Sequence, residues 1–174
     1  PVDASQDRSD GDAVVAGDVL LSIRGRTRDL LTAERTALNL LCHLSGIATA
    51  TAKWAVALSG SQTRVRDTRK TTPLIRFLEK WAVNIGGCEN YRWGLYDWMM
   101  IKDNHVDASG GIRPAIERAQ AYLKANNLDL GITLEVRNLV EVHEALAIGG
   151  VTRLMFDNFE IPIMSEAVAT VNKR

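Results

Sequence analysis

The chain lacks most of what marks a specialised surface. Net charge is absent: 21 Lys and Arg balance 21 Asp and Glu over 174 residues. A general nucleic-acid or anionic-membrane surface needs a clear basic excess, so neither partner is expected. Long apolar runs are absent as well. None approaches the ~20 residues that span a bilayer, and no basic segment followed by an apolar stretch opens the chain as a secretory signal would. Cysteine is scarce: Cys42 and Cys88 are too few for a disulfide framework and lack metal-ligand spacing. A reducing, cytoplasmic setting is the expectation. Aromatics make up 6% of the chain, and Trp54, Trp81, Trp93 and Trp98 read as core or interface residues, not as a base-stacking platform. The nucleotide motifs G-x-x-x-x-G-K-[ST] and G-x-G-x-x-G do not occur. What is present, 46% hydrophobic and 24% charged, is an ordinary globular composition. It suffices for one core, or one small domain plus part of another.

Residues 1–12 hold Asp3, Asp7, Asp10 and Asp12 among small polar residues and read as a loose lead-in. Val19–Ile23 reads as a short strand. Thr32 is placed to cap a helix that carries Leu38, Leu41 and Leu44 and ends at Ser45-Gly46; a second helix spans Ile47–Leu58. From Gln62 short strands alternate with helices. The expected strands are Thr63–Asp67, Met99–Lys102, Ile132–Glu135 and Arg153–Asp157. The expected helices are Leu74–Ile85, Ile112–Ala125, Leu139–Ile148 and Ile161–Val171. Pro73 and Pro114 stand at helix starts, Gly86-Gly87 and Gly149-Gly150 at helix ends. This alternation predicts an α/β fold with a parallel sheet and crossover helices, its boundary with the first part falling within 59–62.

Each of the four expected parallel strands ends in, or runs into, charge: Asp67 with Arg69 and Lys70, Lys102 with Asp103, Glu135, and Asp157. C-terminal strand ends converge on one face of parallel α/β folds, so four in succession point to a shared site. Asp67-Thr68-Arg69-Lys70-Thr71-Thr72-Pro73 is the richest stretch. Arg64, Arg66, Arg69, Lys70 and Arg76 place five cations against Asp67 alone, just before a helix N-terminus. That combination suits a carboxylate or phosphate; the bland alternative is a solvated basic face. Gly86-Gly87-Cys88-Glu89-Asn90-Tyr91-Arg92 leads to a further arginine. Met99-Met100-Ile101-Lys102-Asp103-Asn104-His105 delivers Lys102, which suits Schiff-base chemistry or, beside Asp103, a phosphate-facing charge. Glu135 and Asp157 suit a cation, a hydrated Mg2+ or sugar hydroxyls, with general acid–base work as the alternative. Cys42 reads as a buried thiol, His43 and His143 as surface or packing residues, and His105 as a group that orients its loop.

Five strings occur in order: Ala33-Glu34-Arg35-Thr36-Ala37-Leu38-Asn39, Leu44-Ser45-Gly46-Ile47-Ala48-Thr49, Asp67 to Pro73, Ile101-Lys102-Asp103-Asn104-His105 and Phe156-Asp157-Asn158. Together they strongly resemble the quinolinate phosphoribosyltransferase (nicotinate-nucleotide pyrophosphorylase) family of NAD synthesis, from about Gly17 onward. The resemblance implies a partial (β/α) barrel over 61–174, preceded over 1–60 by the last part of a mixed α+β N-terminal domain. It also implies further barrel strands with phosphate-binding loops, since four strands do not close a barrel. The implied reaction moves phosphoribosyl from phosphoribosyl pyrophosphate to quinolinate with decarboxylation, giving nicotinate mononucleotide, pyrophosphate and CO2, with Mg2+ assisting.

By the same resemblance, Arg35 is lent to the neighbouring site across the interface of a homodimer or higher homo-oligomer. Arg69, Lys70 and Arg92 bind the two carboxylates of quinolinate, and Lys102 stands between the dicarboxylate and the phosphoribosyl donor. Glu135 and Asp157 face the ribose and the metal-bound pyrophosphate. Lys70, Lys102, Glu135 and Asp157 are thus the expected catalytic residues, with Tyr91 also against the substrate. Three positions depart from the family pattern: Tyr91 replaces a histidine, and Cys88 and Leu74 replace glycines. The rival expectation is a non-catalytic anion-binding or assembly fragment of the same family.

Overall fold

A computed structural model of the chain describes residues 2–172. The chain packs as two compact units, one reaching to Tyr91 and one starting at Arg92. In the first, β1 (Asp3–Gln6) pairs antiparallel with β2 (Leu21–Arg24), Asp3 opposite Arg24 and Gln6 opposite Leu21. The expected loose lead-in is therefore partly a strand. Every side chain of β1 is exposed, so its order comes from backbone hydrogen bonds and leaves no apolar pattern to read.

The two expected helices of this unit are one. Helix α1 (Thr27–Ala57) runs 31 residues without a break through Gly46. A mid-helix glycine costs only about 1 kcal/mol relative to alanine, too little to end a helix that continues for several turns on both sides. Thr32 does not cap it: its hydroxyl donates to the Arg28 carbonyl at 2.7 Å from inside the helix. None of the residues of α1 is buried, and the Cys42 thiol, expected inside, is exposed.

Helix α2 (Arg76–Ile85) starts two residues later than expected. The expected strand Thr63–Asp67 reduces to a single parallel bridge between Arg66 and Glu89, with the Glu89 N–H donating to the Val65 carbonyl at 3.0 Å. Gly86, at the end of α2, lies against α1. A Cβ there would stand 2.5 Å from the Ala48 carbonyl oxygen and 2.6 Å from the Thr51 Cβ, so only glycine permits this approach.

The second unit follows the expected alternation closely. Its elements are β3 (Met99–Ile101), α3 (Asp103–Ser109), α4 (Ile112–Ala125), β4 (Ile132–Val136), α5 (Leu139–Ile148), β5 (Arg153–Phe156) and α6 (Ile161–Asn172). The three strands form a parallel sheet in the order β3-β4-β5. Only α3 is unforeseen; seven residues are too few to show a helical apolar period. Alternation divides the sheet into two faces. Ile101, Ile132, Leu134 and Val136 pack into one core with Ile112, Ile116, Val142, Ala145 and Ala167 from the helices. Each of the Ile, Leu and Val side chains contributes roughly 1.5–3 kcal/mol on burial. The opposite face carries Thr133, Glu135, Arg153 and Met155, and continues in Lys102 and Asp157 just past the strand ends.

Leu74 generates a prediction. It is fully exposed yet sits at φ 70°, in the left-handed region. That conformation costs a leucine about 1–2 kcal/mol, while a glycine loses roughly 0.5–1 kcal/mol of extra backbone entropy on folding. Leu74→Gly should therefore raise stability by about 0.5–1 kcal/mol in urea unfolding. A lowered midpoint would show that the Leu74 side chain contributes packing that outweighs the strain.

Candidate active site

The cation-rich loop is built on α2. Asp67, at its start, accepts from Lys80 Nζ at 2.5 Å and from the Tyr91 backbone N–H at 2.8 Å, both through Oδ1; its Oδ2 accepts from Asn90 Nδ2 at 2.6 Å. At the loop's other end, Glu79 Oε2 accepts the Thr72 N–H at 3.0 Å while Oε1 holds His43 Nε2 at 2.8 Å. Arg76 Nε donates to Thr71 Oγ1 at 3.0 Å. The loop from Asp67 to Thr72 is thus clamped at both ends by one helix. His43, on α1, takes part in that clamp.

This changes the inventory of five free cations. Arg64 and Arg66 both engage Glu89, at 3.9 Å and 2.6 Å, and Arg76 is committed to Thr71. Arg69 and Lys70 remain. Neither makes an ion pair among the described residues, and Arg69 Nε is buried with no hydrogen-bond partner. A buried guanidinium N–H without an acceptor costs free energy that an arriving anion recovers. Lys70 is exposed.

Tyr91 is half-buried and fixed through its backbone to Asp67. Arg92 donates to the Trp98 carbonyl at 3.2 Å and lies 3.6 Å from the Met100 sulfur. Asp97 closes the intervening turn, accepting from the Trp93 and Gly94 N–H groups at 2.7 and 2.9 Å. Burial alone would raise the Asp97 carboxyl, but those hydrogen bonds and the Arg92 charge outweigh it and hold it below its ordinary value.

In the second unit, Ile101 opposite Leu134 brings Lys102 level with Glu135, and the Asp157 N–H donates to the Val136 carbonyl at 2.9 Å. Lys102, Glu135 and Asp157 therefore come together at the C-terminal edge of one sheet face. Glu135 is half-buried and makes no hydrogen bond or ion pair among the described residues; Asp157 accepts from Asn158 Nδ2 at 3.0 Å. His105 Nδ1 accepts the Lys102 N–H at 2.9 Å, so this imidazole orients the loop that bears Lys102. Arg35 stands exposed on α1.

No group of three or more His, Cys, Asp and Glu is gathered to hold a metal ion among the described residues. Two carboxylates, Glu135 and Asp157, do not make a protein cage. They do fit an Mg2+ that keeps waters and phosphate oxygens in its shell.

Sequence reasoning missed several residues of this frame. Lys80 and Glu79 look like any charged pair on a short helix, and Asn90 like a loop residue. On the sheet, the Arg153 guanidinium lies 4.9 Å over the Trp98 ring, whose Nε1 donates to Thr133 Oγ1 at 2.8 Å. The cross-strand proximity that would reveal this cluster exists only once the register is known.

Comparison with known proteins decides the family. A family model described as "Quinolinate phosphoribosyl transferase, N-terminal domain" matches residues 2–45, and its C-terminal counterpart matches 47–174. The chain belongs to this family. Quinolinate phosphoribosyltransferase [decarboxylating] 1b of Nicotiana tabacum is 39% identical over 180 residues, covering 95% of this chain and 51% of that protein. Nicotinate-nucleotide pyrophosphorylase [carboxylating] of Mycobacterium leprae is 43% identical over 152 residues, covering 87% and 52%. Among solved structures, NadC from Streptococcus pyogenes superposes with a TM-score of 0.89 at 42% identity, over 98% of this chain and 59% of that one. The chain spans about half the length of the curated relatives it matches. The α/β fold is that of the family's solved members, a small sheet followed by a parallel one.

The clamp at Glu79 has an acid-side signature. Burial pushes this carboxyl up, but hydrogen bonds from Thr72 and His43, with the charge of His43, outweigh it and leave it below its ordinary value of 4.5. A carboxyl lowered by folding stabilises above its unfolded pKa and loses that contribution as pH falls through the folded one. Glu79→Gln should therefore cost about 1–3 kcal/mol near neutral pH. The gap to the parent should shrink once the pH falls below 4.5. Urea unfolding across that range measures it; a gap independent of pH would mean that the charge is irrelevant.

Proposed function

We propose that this chain contributes the quinolinate-binding and ribose-facing parts of a phosphoribosyltransferase that makes nicotinate mononucleotide, pyrophosphate and CO2 from quinolinate and phosphoribosyl pyrophosphate. The observation that carries this reading is the buried, unpartnered Arg69 Nε in a loop clamped at both ends, beside an exposed Lys70 with no ion pair among the described residues. A dicarboxylate supplies the missing acceptors, and arginine meets each carboxylate with two parallel hydrogen bonds. The names of the family's relatives support quinolinate as that dicarboxylate.

In this reading Arg69, Lys70 and Arg92 hold the carboxylates, with Tyr91 against the ring as a neutral hydrogen-bond donor. Lys102 bridges toward the donor's pyrophosphate. The bond from the ring nitrogen to the ribose carbon forms as the bond from that carbon to pyrophosphate breaks. Positive charge then develops on the ribose carbon, and Glu135 and Asp157 stabilise it. The carboxylate at ring position 2 leaves as CO2, and a proton replaces it. Mg2+, held by Glu135 and Asp157 through water or substrate oxygens, would offset the pyrophosphate's negative charge.

Arg35, exposed on α1, serves the neighbouring site in a homodimer. The apolar residues exposed along the same helix, Leu31, Leu38 and Trp54, support a partner surface there. Among the described residues no helix is long and apolar enough to cross a membrane. A cytoplasmic location goes with this reading, although some plant relatives carry mitochondrial or chloroplastic in their names.

Arg69→Ala should weaken quinolinate binding by about 2–5 kcal/mol, the range for truncating one partner of a desolvated charge pair. Calorimetric titration of parent and variant measures it. Equal affinities in the two would remove Arg69 from the site and the reading with it.

A further inference from the structure

We propose that the buried Asp67–Lys80 ion pair, together with Asn90, is a positioning device that orders the Arg69-Lys70 loop and the segment leading through Tyr91 to Arg92 as one piece. Lys80 is 1% exposed. Burying an ammonium costs several kcal/mol, and an apolar pair of equal volume serves a core at least as well. A charge kept there answers a demand for position, not for bulk.

The geometry shows what is positioned. Asp67 divides its carboxylate among three segments: Oδ1 takes Lys80 Nζ at 2.5 Å and the Tyr91 N–H at 2.8 Å, and Oδ2 takes Asn90 Nδ2 at 2.6 Å. Asn90 Nδ2 also donates to the Lys80 carbonyl at 2.8 Å, and its Oδ1 accepts from Asn84 Nδ2 at 2.8 Å. The Asp67 N–H in turn donates to the Glu89 carbonyl at 3.2 Å. Asp67 stands two residues before Arg69, and Asn90 two before Arg92. Displacing any one of the three groups frees both segments. The residues act through the loops they hold.

The functional half of this inference rests on the reading of Arg69, Lys70 and Arg92 as quinolinate ligands; the coupling itself does not. Amide hydrogen exchange in 67–72 and 89–91, with α4 and α5 as internal reference, reads the coupling, and quinolinate calorimetry reads its consequence. In Lys80→Met, protection should fall about tenfold or more in both segments together while α4 and α5 stay unchanged. Quinolinate affinity should fall about 10–100-fold, as misplaced binding groups do. Asn90→Ala leaves the ion pair in place, so it decides the matter if Lys80→Met does not fold; it should show the same paired loss at smaller size. The double variant Asp67→Leu/Lys80→Met should regain thermal stability relative to Lys80→Met without regaining affinity, a split that a purely structural role would not give. Protection lost in one segment only, or in neither, overturns the proposal whether or not the parent binds quinolinate. Paired loss with undiminished affinity overturns the positioning role. Paired loss in a parent that binds no quinolinate upholds the coupling and removes the functional reading instead.

Discussion

The polar face of α2 is the constraint on which the first unit depends. A ten-residue helix ordinarily buries its apolar stripe and shows its charges to water. Here Glu79 and Lys80 are buried while Phe77 and Trp81 are exposed. The inversion is held by geometry on both sides: Lys80 reaches Asp67 at one end of the cation-bearing loop, and Glu79 reaches the Thr72 N–H at the other. With both ends fixed by one helix, the loop bearing Arg69 and Lys70 has little conformational freedom left.

The same inversion marks where sequence reading stops. A charged pair such as Glu79 and Lys80 carries no local signal of burial, and nothing in the spacing of Phe77 and Trp81 announces their exposure. The helix bounds were legible, within two residues for α2 and to the residue for α4 and α5, because apolar spacing and flanking Gly and Pro record them locally. What pairs with a buried lysine is recorded nowhere near it, since Asp67 lies thirteen positions upstream. Gly46 and the Asp3–Gln6 strand failed for related reasons. A glycine penalty is small against the cohesion of a long helix, and a strand held by backbone alone has no side-chain signature.

The second unit is more legible in the sequence because its sheet obeys one alternation throughout. Core-facing residues are uniformly apolar, whereas the opposite face mixes Thr133, Glu135, Arg153 and the terminal Asp157. That contrast is visible in sequence as soon as the strands are placed. The charges at successive strand ends, Lys102, Glu135 and Asp157, are legible for a second reason, since the C-terminal ends of parallel strands lie along one edge. The Arg153–Trp98–Thr133 cluster escaped because it requires the register between three strands, not the pattern within one.

The charges left over follow a rule within each unit. In the first, the acids nearest the cation-rich loop are all occupied: Asp67 by Lys80, Glu79 by His43 and Thr72, Glu89 by Arg64 and Arg66. None is left to neutralise Arg69 or Lys70. In the second, the arginines of the sheet and its following loop are occupied instead, Arg153 over Trp98 and Arg137 by Asp107 and Glu141. Glu135 is thereby left without an ion pair among the described residues. An ion pair satisfied internally offers a ligand nothing, because its partner would have to be displaced first. Internal pairing of the surrounding charges is therefore what leaves Arg69 and Lys70 available in the first unit and Glu135 in the second.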